Sequence, residues 1–189
     1  MVTLDWRILV VFVGVLIAIG AAWMYVQERR RSQQLRGRFG KEYDRAVQEE
    51  GDRRKAEKVL KEREQRVEML RLRPLAAEDQ DRFLKEWQSI QGRFVDDPKT
   101  AVTEADWLVH RVMRARGYPT GDFEQEAADV SVDHPEVVSN YRAAHDIAVR
   151  AREDDGTTTE TLRQGLVYYR LLFDELLEAQ EPMLSEAKR

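Results

Sequence analysis

Nineteen consecutive residues without a charge, Ile8 to Val26, open the hydrophobic pattern of this chain. As a helix at 1.5 Å per residue they would span roughly 28 Å, close to the ~30 Å hydrocarbon core of a bilayer. The pattern then changes to a four-residue period, with Leu35, Phe39, Tyr43 and Val47 forming one apolar helical stripe. Between Gln48 and Arg66 the stripe thins to Ala56, Val59 and Leu60. Glu49–Arg53, Glu50–Arg54, Glu57–Lys61 and Glu62–Arg66 stand there as i,i+4 pairs in the favourable order. Such spacing predicts a solvated helix supported by its own charges, with Gly51 an interruption or turn.

Past Pro74 the stripe returns and is punctuated. Phe83, Trp87, Ile90 and Phe94 make the apolar face of a helix starting near Glu78. Asp96 or Asp97 is a natural N-cap for the next, with Pro98 in its first turn and Val102, Ala105, Leu108, Val112 and Met113 facing inward. Gly117 fits a left-handed stop, Tyr118 can fold back, and Pro119 prevents continuation. A short helix follows on Phe123, Ala127 and Val130. The "DHPE" stretch reads as another start: Asp133 as N-cap, Pro135 in the first turn and Glu136 in capping-box position. Val137 or Val138, Tyr141, Ala144, His145 and Ala148 continue it. Gly156 and a Thr157/Glu160 capping box introduce the last helix, lined by Leu162, Leu166, Tyr169, Leu172 or Phe173, and Leu176. The predicted fold is therefore all-α. An N-terminal transmembrane helix (residues 1–27, span 8–26) leads into a charged helical neck (28–73). A compact bundle of about four helices (74–180) and a flexible tail (181–189) follow.

The apolar run exceeds the roughly 7–15 residues of a signal-peptide core, so a retained anchor is preferred to a cleaved leader. Trp6 at one end and Trp23 and Tyr25 at the other suit the interfaces. Arg7 alone precedes the span, whereas Arg29, Arg30, Arg31, Arg36, Arg38 and Lys41 follow it. The positive-inside rule then places the C-terminal side in the cytoplasm of a single-pass plasma-membrane protein; the opposite topology is the alternative. Charge divides along the same line. Residues 27–73 carry 16 Lys/Arg against 10 Asp/Glu, and residues 74–189 carry 14 against 24, so the total of −4 conceals a basic neck and an acidic body. Anionic lipids would attract the first and repel the second, unless the arginines serve only to set topology.

Composition limits the chemistry. The 189 residues include no cysteine, which excludes disulfides, cysteine zinc sites and cysteine nucleophiles. No HExxH, GxSxG, glycine-rich phosphate loop or P-loop occurs. His134 and His145 share a face of one predicted helix but stand about 16 Å apart along its axis, too far to ligate one metal. His134 is expected exposed in a first turn. His110 could approach His145 if their helices pack, with Asp106 or Asp146 orienting it. No metal, cofactor or enzymatic activity is expected. Acids alternate with bases in the neck, without interleaved aromatics, which argues against nucleic acid. The last helix is apolar around much of its circumference, so it is either central to the bundle or carries an additional contact face, for which self-association is the ordinary explanation.

The segments "FVDDP", "ADWLV", "RGYP", "DFEQEAADVSVDHPEVVSNYRAAH" and "LVYYRLLFDELLE" resemble a group of small bacterial single-span proteins labelled hypothetical, membrane or secreted. The resemblance runs from about Leu35 to Glu178 and implies no activity, cofactor or site residue. Two functional classes stand. The preferred one is a non-enzymatic, membrane-tethered scaffold whose bundle meets an unknown protein partner or a second copy of itself. The alternative is a small-ligand or signal-sensing helical domain, with a polar pocket at Trp107, His110, Tyr141 and His145.

Overall fold

The computed structural model describes residues 6–153 and 156–178, with the side chains of 6–11, 13, 14, 17, 18 and 21 outside the description. The described residues form eight helices and no strand. The expected tail 181–189 lies outside the described residues.

Residues 1–38 and 39–189 form two compact units. The described part of the first is the helix α1 (Trp6–Phe39), whose last residue belongs to the second unit. Along α1, Phe12, Val15, Leu16, Ile19, Trp23, Met24, Tyr25 and Val26 are between 46% and 66% exposed. Arg29 lies over the Tyr25 ring, 5.0 Å from its centroid, and Arg30 and Arg31 are exposed beside it. Among the described residues, no helix is long and apolar enough to cross a membrane. The expected transmembrane helix is therefore not supported; the side chains of Trp6 and Arg7, expected at its start, lie outside the description.

In the second unit, Gly40 takes a positive φ of 51° and opens α2 (Lys41–Glu50). Gly51 ends α2 in a left-handed turn, and Asp52 caps α3 (Arg53–Met69) by accepting from the Lys55 amide at 2.9 Å. Tyr43 donates its hydroxyl to Glu57 at 2.8 Å and so ties α2 to α3. These helices were expected as a solvated neck apart from the bundle. Instead they pack within the unit, α3 against α6 and α2 against α7, burying Tyr43, Ala46, Ala56, Leu60 and Val67. The main apolar core draws its buried residues from Leu75 onward, with Leu70 and Leu72 packed against it.

That core is built by five helices, one more than the approximate count from periodicity. They are α4 (Ala77–Arg93), α5 (Pro98–Arg116), α6 (Phe123–Asp133), α7 (Pro135–Arg152) and α8 (Thr159–Glu178). α8 packs on both α5 and α7, and Trp87 of α4 stacks on Phe173 with ring centroids 4.8 Å apart. The expected starts hold at Asp97, which accepts from the Thr100 amide, with Pro98 in the first turn. Gly117 stops α5 at φ 98°, where an added Cβ would stand 3.1 Å from the Arg71 carbonyl oxygen.

Two expected caps are displaced. Asp133 ends α6 rather than capping α7, because its carboxylate accepts the Tyr118 hydroxyl at 3.0 Å. His134 joins the two helices and is buried at 7% exposure rather than solvated. At α8 the cap is Thr158, not Thr157: its hydroxyl oxygen accepts from the Thr161 amide at 3.2 Å. The far end of α8 is closed by other helices. Arg116 donates to the Leu176 carbonyl at 3.0 Å and Gln80 to that of Leu177 at 3.3 Å, using acceptors that a helix C-terminus leaves open.

Candidate functional site

Inside α5, one carboxylate occupies a position on the buried face. Asp106 sits between Ala105 and Leu108 on the helix, at 3% exposure. A buried ionised carboxylate is costly unless donors surround it. Asp106 accepts the Tyr169 hydroxyl at 2.6 Å from α8, Arg152 Nη1 at 2.9 Å from the end of α7, and contacts His145 Nδ1 at 3.2 Å. Burial raises its pKa, but the bonds from His145, Tyr169 and Arg152 outweigh burial and hold the carboxyl at about 2.

A second carboxylate is placed by α6. Glu126, at 2% exposure, takes the Gly121 amide on Oε1 at 2.6 Å and the Tyr141 hydroxyl on Oε2 at 3.2 Å. His110 Nε2 lies 2.8 Å from the same Oε2. Burial opposes ionisation here too, and the donors led by His110 bring Glu126 below the usual carboxylate range. The other nitrogen of His110, Nδ1, lies 2.8 Å from the Asp106 backbone carbonyl oxygen. Burial lowers the pKa of His110; its acceptors Glu126 and Asp106 more than restore it, and the net direction is upward.

The rings pack as well as bond. Phe123 stacks on His145 with centroids 3.7 Å apart and planes 9° apart, and lies 5.1 Å from Tyr141. His110 is 6.4 Å from His145 and 6.5 Å from Tyr141, centroid to centroid. Three of the four residues singled out from the sequence, His110, Tyr141 and His145, thus meet around the two carboxylates. Trp107 does not. It is 62% exposed and lines a groove of about 340 Å³ between α4 and α5, with Ile90, Arg93 and Arg111.

Sequence reasoning missed Glu126, Arg152 and Tyr169. The available signal was Asp106 itself, an acid one residue after Ala105 and four before His110 on an apolar face, which demands buried donors from neighbouring helices. Comparison with protein families, curated proteins and solved structures returns no match. The site's meaning therefore rests on its chemistry.

A second polar layer joins α2 and α3 to the body. Glu42, 3% exposed, lies 3.7 Å from Arg63 Nη1 and 3.5 Å from Arg142 Nε. Arg142 also pairs with Glu124, as does Arg45 at 3.4 Å, while Arg66 reaches the fully buried Asp129 at 3.1 Å. Burial lowers the pKa of Arg63 and raises that of Asp129. A cleft of about 460 Å³ opens over this layer, lined by Glu62, Arg63 and Arg66 of α3 and by Glu124, Gln125 and Ala128 of α6.

The arrangement favours holding protons over making bonds. The hydroxyls at the two rings belong to Tyr141 and Tyr169, both pushed far above the ordinary phenol range by burial, so they serve as donors. Among the described residues, no group of three or more histidines or carboxylates is disposed to hold a metal ion. His134 stands apart from this cluster, with Nδ1 3.2 Å from Glu175. Its Nε2 is buried without a partner, and burial depresses its pKa.

Proposed function

We propose that this chain is a non-enzymatic, membrane-tethered interaction protein, anchored by residues 8–26 and presenting a helical body to a protein partner. The observation that carries the reading is the exposed apolar surface of α1 from Phe12 to Val26, abutting exposed Arg29, Arg30 and Arg31. Large apolar side chains exposed at intervals over that length call for a nonaqueous cover, and arginines at one end are what the cytoplasmic interface selects. Trp6, Arg7, Trp23 and Tyr25 are the interfacial flanks in this reading. The anchor sits in the bacterial plasma membrane, once through, with the body in the cytoplasm. Lipid is one partner, and an unidentified protein or a second copy is the other; nucleic acid, metal and cofactor play no part. Alkaline carbonate washing of membranes should leave the chain in the pellet, and protease added to intact protoplasts should spare a C-terminal tag. Extraction by carbonate would remove the anchor from this reading; digestion of the tag would reverse the topology.

The cleft between α3 and α6 favours a second reading, a domain that senses a small polar ligand. Its polar lining and its volume of about 460 Å³ suit a small molecule rather than a helix. The sensing site moves, in that case, from the ring cluster at His110 and His145 to the Arg63–Arg66 wall. Ligand-screen melts of wild type and Arg66→Gln separate the two, since a scaffold gains no stabilisation from small polar molecules.

A further inference from the structure

The His110 ring raises a hydrogen-bonding problem with a definite solution. Its Nδ1 faces a backbone carbonyl oxygen, that of Asp106, at 2.8 Å. Its Nε2 faces a carboxylate oxygen, Glu126 Oε2, at 2.8 Å. A carbonyl oxygen has no proton to give, and an ionised carboxylate has none either. A neutral imidazole carries one N–H, so one of the two contacts would bring lone pair against lone pair. The arrangement is satisfied only by a second proton, either on the ring or on Glu126.

Glu126 is poorly placed to keep it. Apart from the contact with His110, its oxygens receive the Gly121 amide at 2.6 Å and the Tyr141 hydroxyl at 3.2 Å, and these two donors favour the ionised form. The charges facing His110 from other elements agree. α6 contributes Glu126; α7 contributes Tyr141 and the His145 ring 6.4 Å away; its own helix contributes Asp106. Asp106 Oδ1 lies 3.7 Å from Nδ1 and accepts the Tyr169 hydroxyl of α8, while Arg152 on Oδ2 offsets part of the carboxylate's charge.

We propose that His110 is a proton-binding site that latches α6 onto α5. As an imidazolium it bridges the Asp106 carbonyl and Glu126; on losing the proton it has one N–H for two acceptors and no charge to hold the Glu126 carboxylate, which weakens the link and loosens α6. The burial-opposed upward direction of its pKa agrees with this geometry. The latch has a consequence at a distance. Glu124, Gln125 and Ala128 of α6 form one wall of the polar cleft, and Arg63 and Arg66 of α3 form the other. Release of the proton therefore acts on the cleft, and on the Arg66–Asp129 and Arg142–Glu124 pairs that cross from α6 to α3 and α7. The ring keeps 19% of its side chain exposed, enough for exchange with solvent.

The chain holds three histidines, so selective ¹⁵N-histidine labelling of the full-length protein in detergent gives a readable spectrum. Long-range proton–nitrogen correlations report whether each ring nitrogen carries a proton, and the spectrum is assigned with His134→Gln and His145→Gln. At pH 7 His110 should show both nitrogens protonated, with a titration midpoint above that of a free histidine. In Glu126→Gln the midpoint should fall, because the anionic acceptor is gone. Hydrogen exchange of the amides of 123–133, corrected for intrinsic rate, should quicken as wild type passes through the His110 midpoint. A neutral His110 at pH 7 would overturn the proton assignment. Protection of α6 unchanged across the midpoint would overturn the latch. Should Glu126→Gln fail to fold, the wild-type titration and exchange decide both points.

Discussion

Asp106 is a single residue on which three helices depend. Its partners Tyr169 and His145 are held by α8 and α7, and Arg152 closes the far side. The Tyr169 hydroxyl and the carboxylate are both buried, so Tyr169→Phe should cost about 1.5–3 kcal/mol in chemical melts, as lost bonds to buried charges do. The pH dependence follows from the direction of each shift. The folded carboxyl titrates at about 2, below the roughly 3.9 of an unfolded aspartate. Its stabilisation is then full above the unfolded value and fades as pH falls toward 2. Asp106→Asn should flatten that acid limb. His134 acts at milder acidity. Its folded pKa is lowered by burial, so the unfolded chain binds the proton first and stability declines as pH drops below about 6.5. His134→Gln should remove that decline, measured as midpoint denaturant against pH; an unchanged slope would mean the ring is not buried as described. The burial of His134 could not be read from "DHPE", because the pattern fits an exposed first turn until Tyr118 claims Asp133.

At the scale of elements, the starts and stops written in short-range chemistry were the most legible part of the chain. Asp97 with Pro98, and Gly117 before Pro119, act within one helical turn and need no distant partner. Caps that compete with a tertiary contact were not legible, and Asp133 is the example. Close helix contacts were equally hidden. Gly165 lies on α8 where an added Cβ would stand 2.9 Å from Ile147 Cγ2 and 3.3 Å from its Cβ. Nothing in "LRQGLV" marks this glycine as a packing residue, since it reads as a weak point in a helix. Two effects oppose each other in Gly165→Ala. Helix propensity gains up to about 1 kcal/mol, while overpacking a filled core costs roughly 1–3 kcal/mol. The contact involves both branches at a β-branched side chain, which has little room to turn, so the cost should win by about 1 kcal/mol. Thermal melts check the sign, and Ile147→Ala in the same background should recover part of the loss; a stabilised single mutant would show that α7 and α8 are looser than this.

For the whole molecule, the division into an apolar first segment and a charged remainder was legible because it depends on runs of many residues. The attachment of α2 and α3 was not, for a physical reason. Some of their acids and bases pair along one helix, as Arg45–Glu49, Arg53–Glu57 and Lys58–Glu62 do, while others on the same helices reach across to neighbours. Glu42 meets Arg63 and Arg142, Arg66 meets Asp129, and Arg45 meets both Glu49 and Glu124. A one-dimensional pattern cannot tell a charge paired along its helix from one paired across an interface. Two truncations turn this into a measurement. A chain starting at residue 39 keeps the second compact unit intact, whereas one starting at residue 74 strips α2 and α3, taking Arg66 from Asp129, Glu42 from Arg142 and Arg45 from Glu124. The second also uncovers the surfaces packed on Tyr43, Ala46, Leu60 and Val67. Removing one partner of a buried ion pair costs about 3–5 kcal/mol, and Asp129 is fully buried, although the half-exposed Arg66 side chain shares less of that cost. Each 1 kcal/mol moves the melting temperature by about 2–4 °C in a domain of roughly 150–250 residues. The 74–189 chain should therefore melt at least about 6 °C below the 39–189 chain, with the loss of cooperativity concentrated in α6. Equal melting temperatures would mean that α2 and α3 ride on the body without stabilising it, which would return them to the solvated neck their charge pattern first suggests.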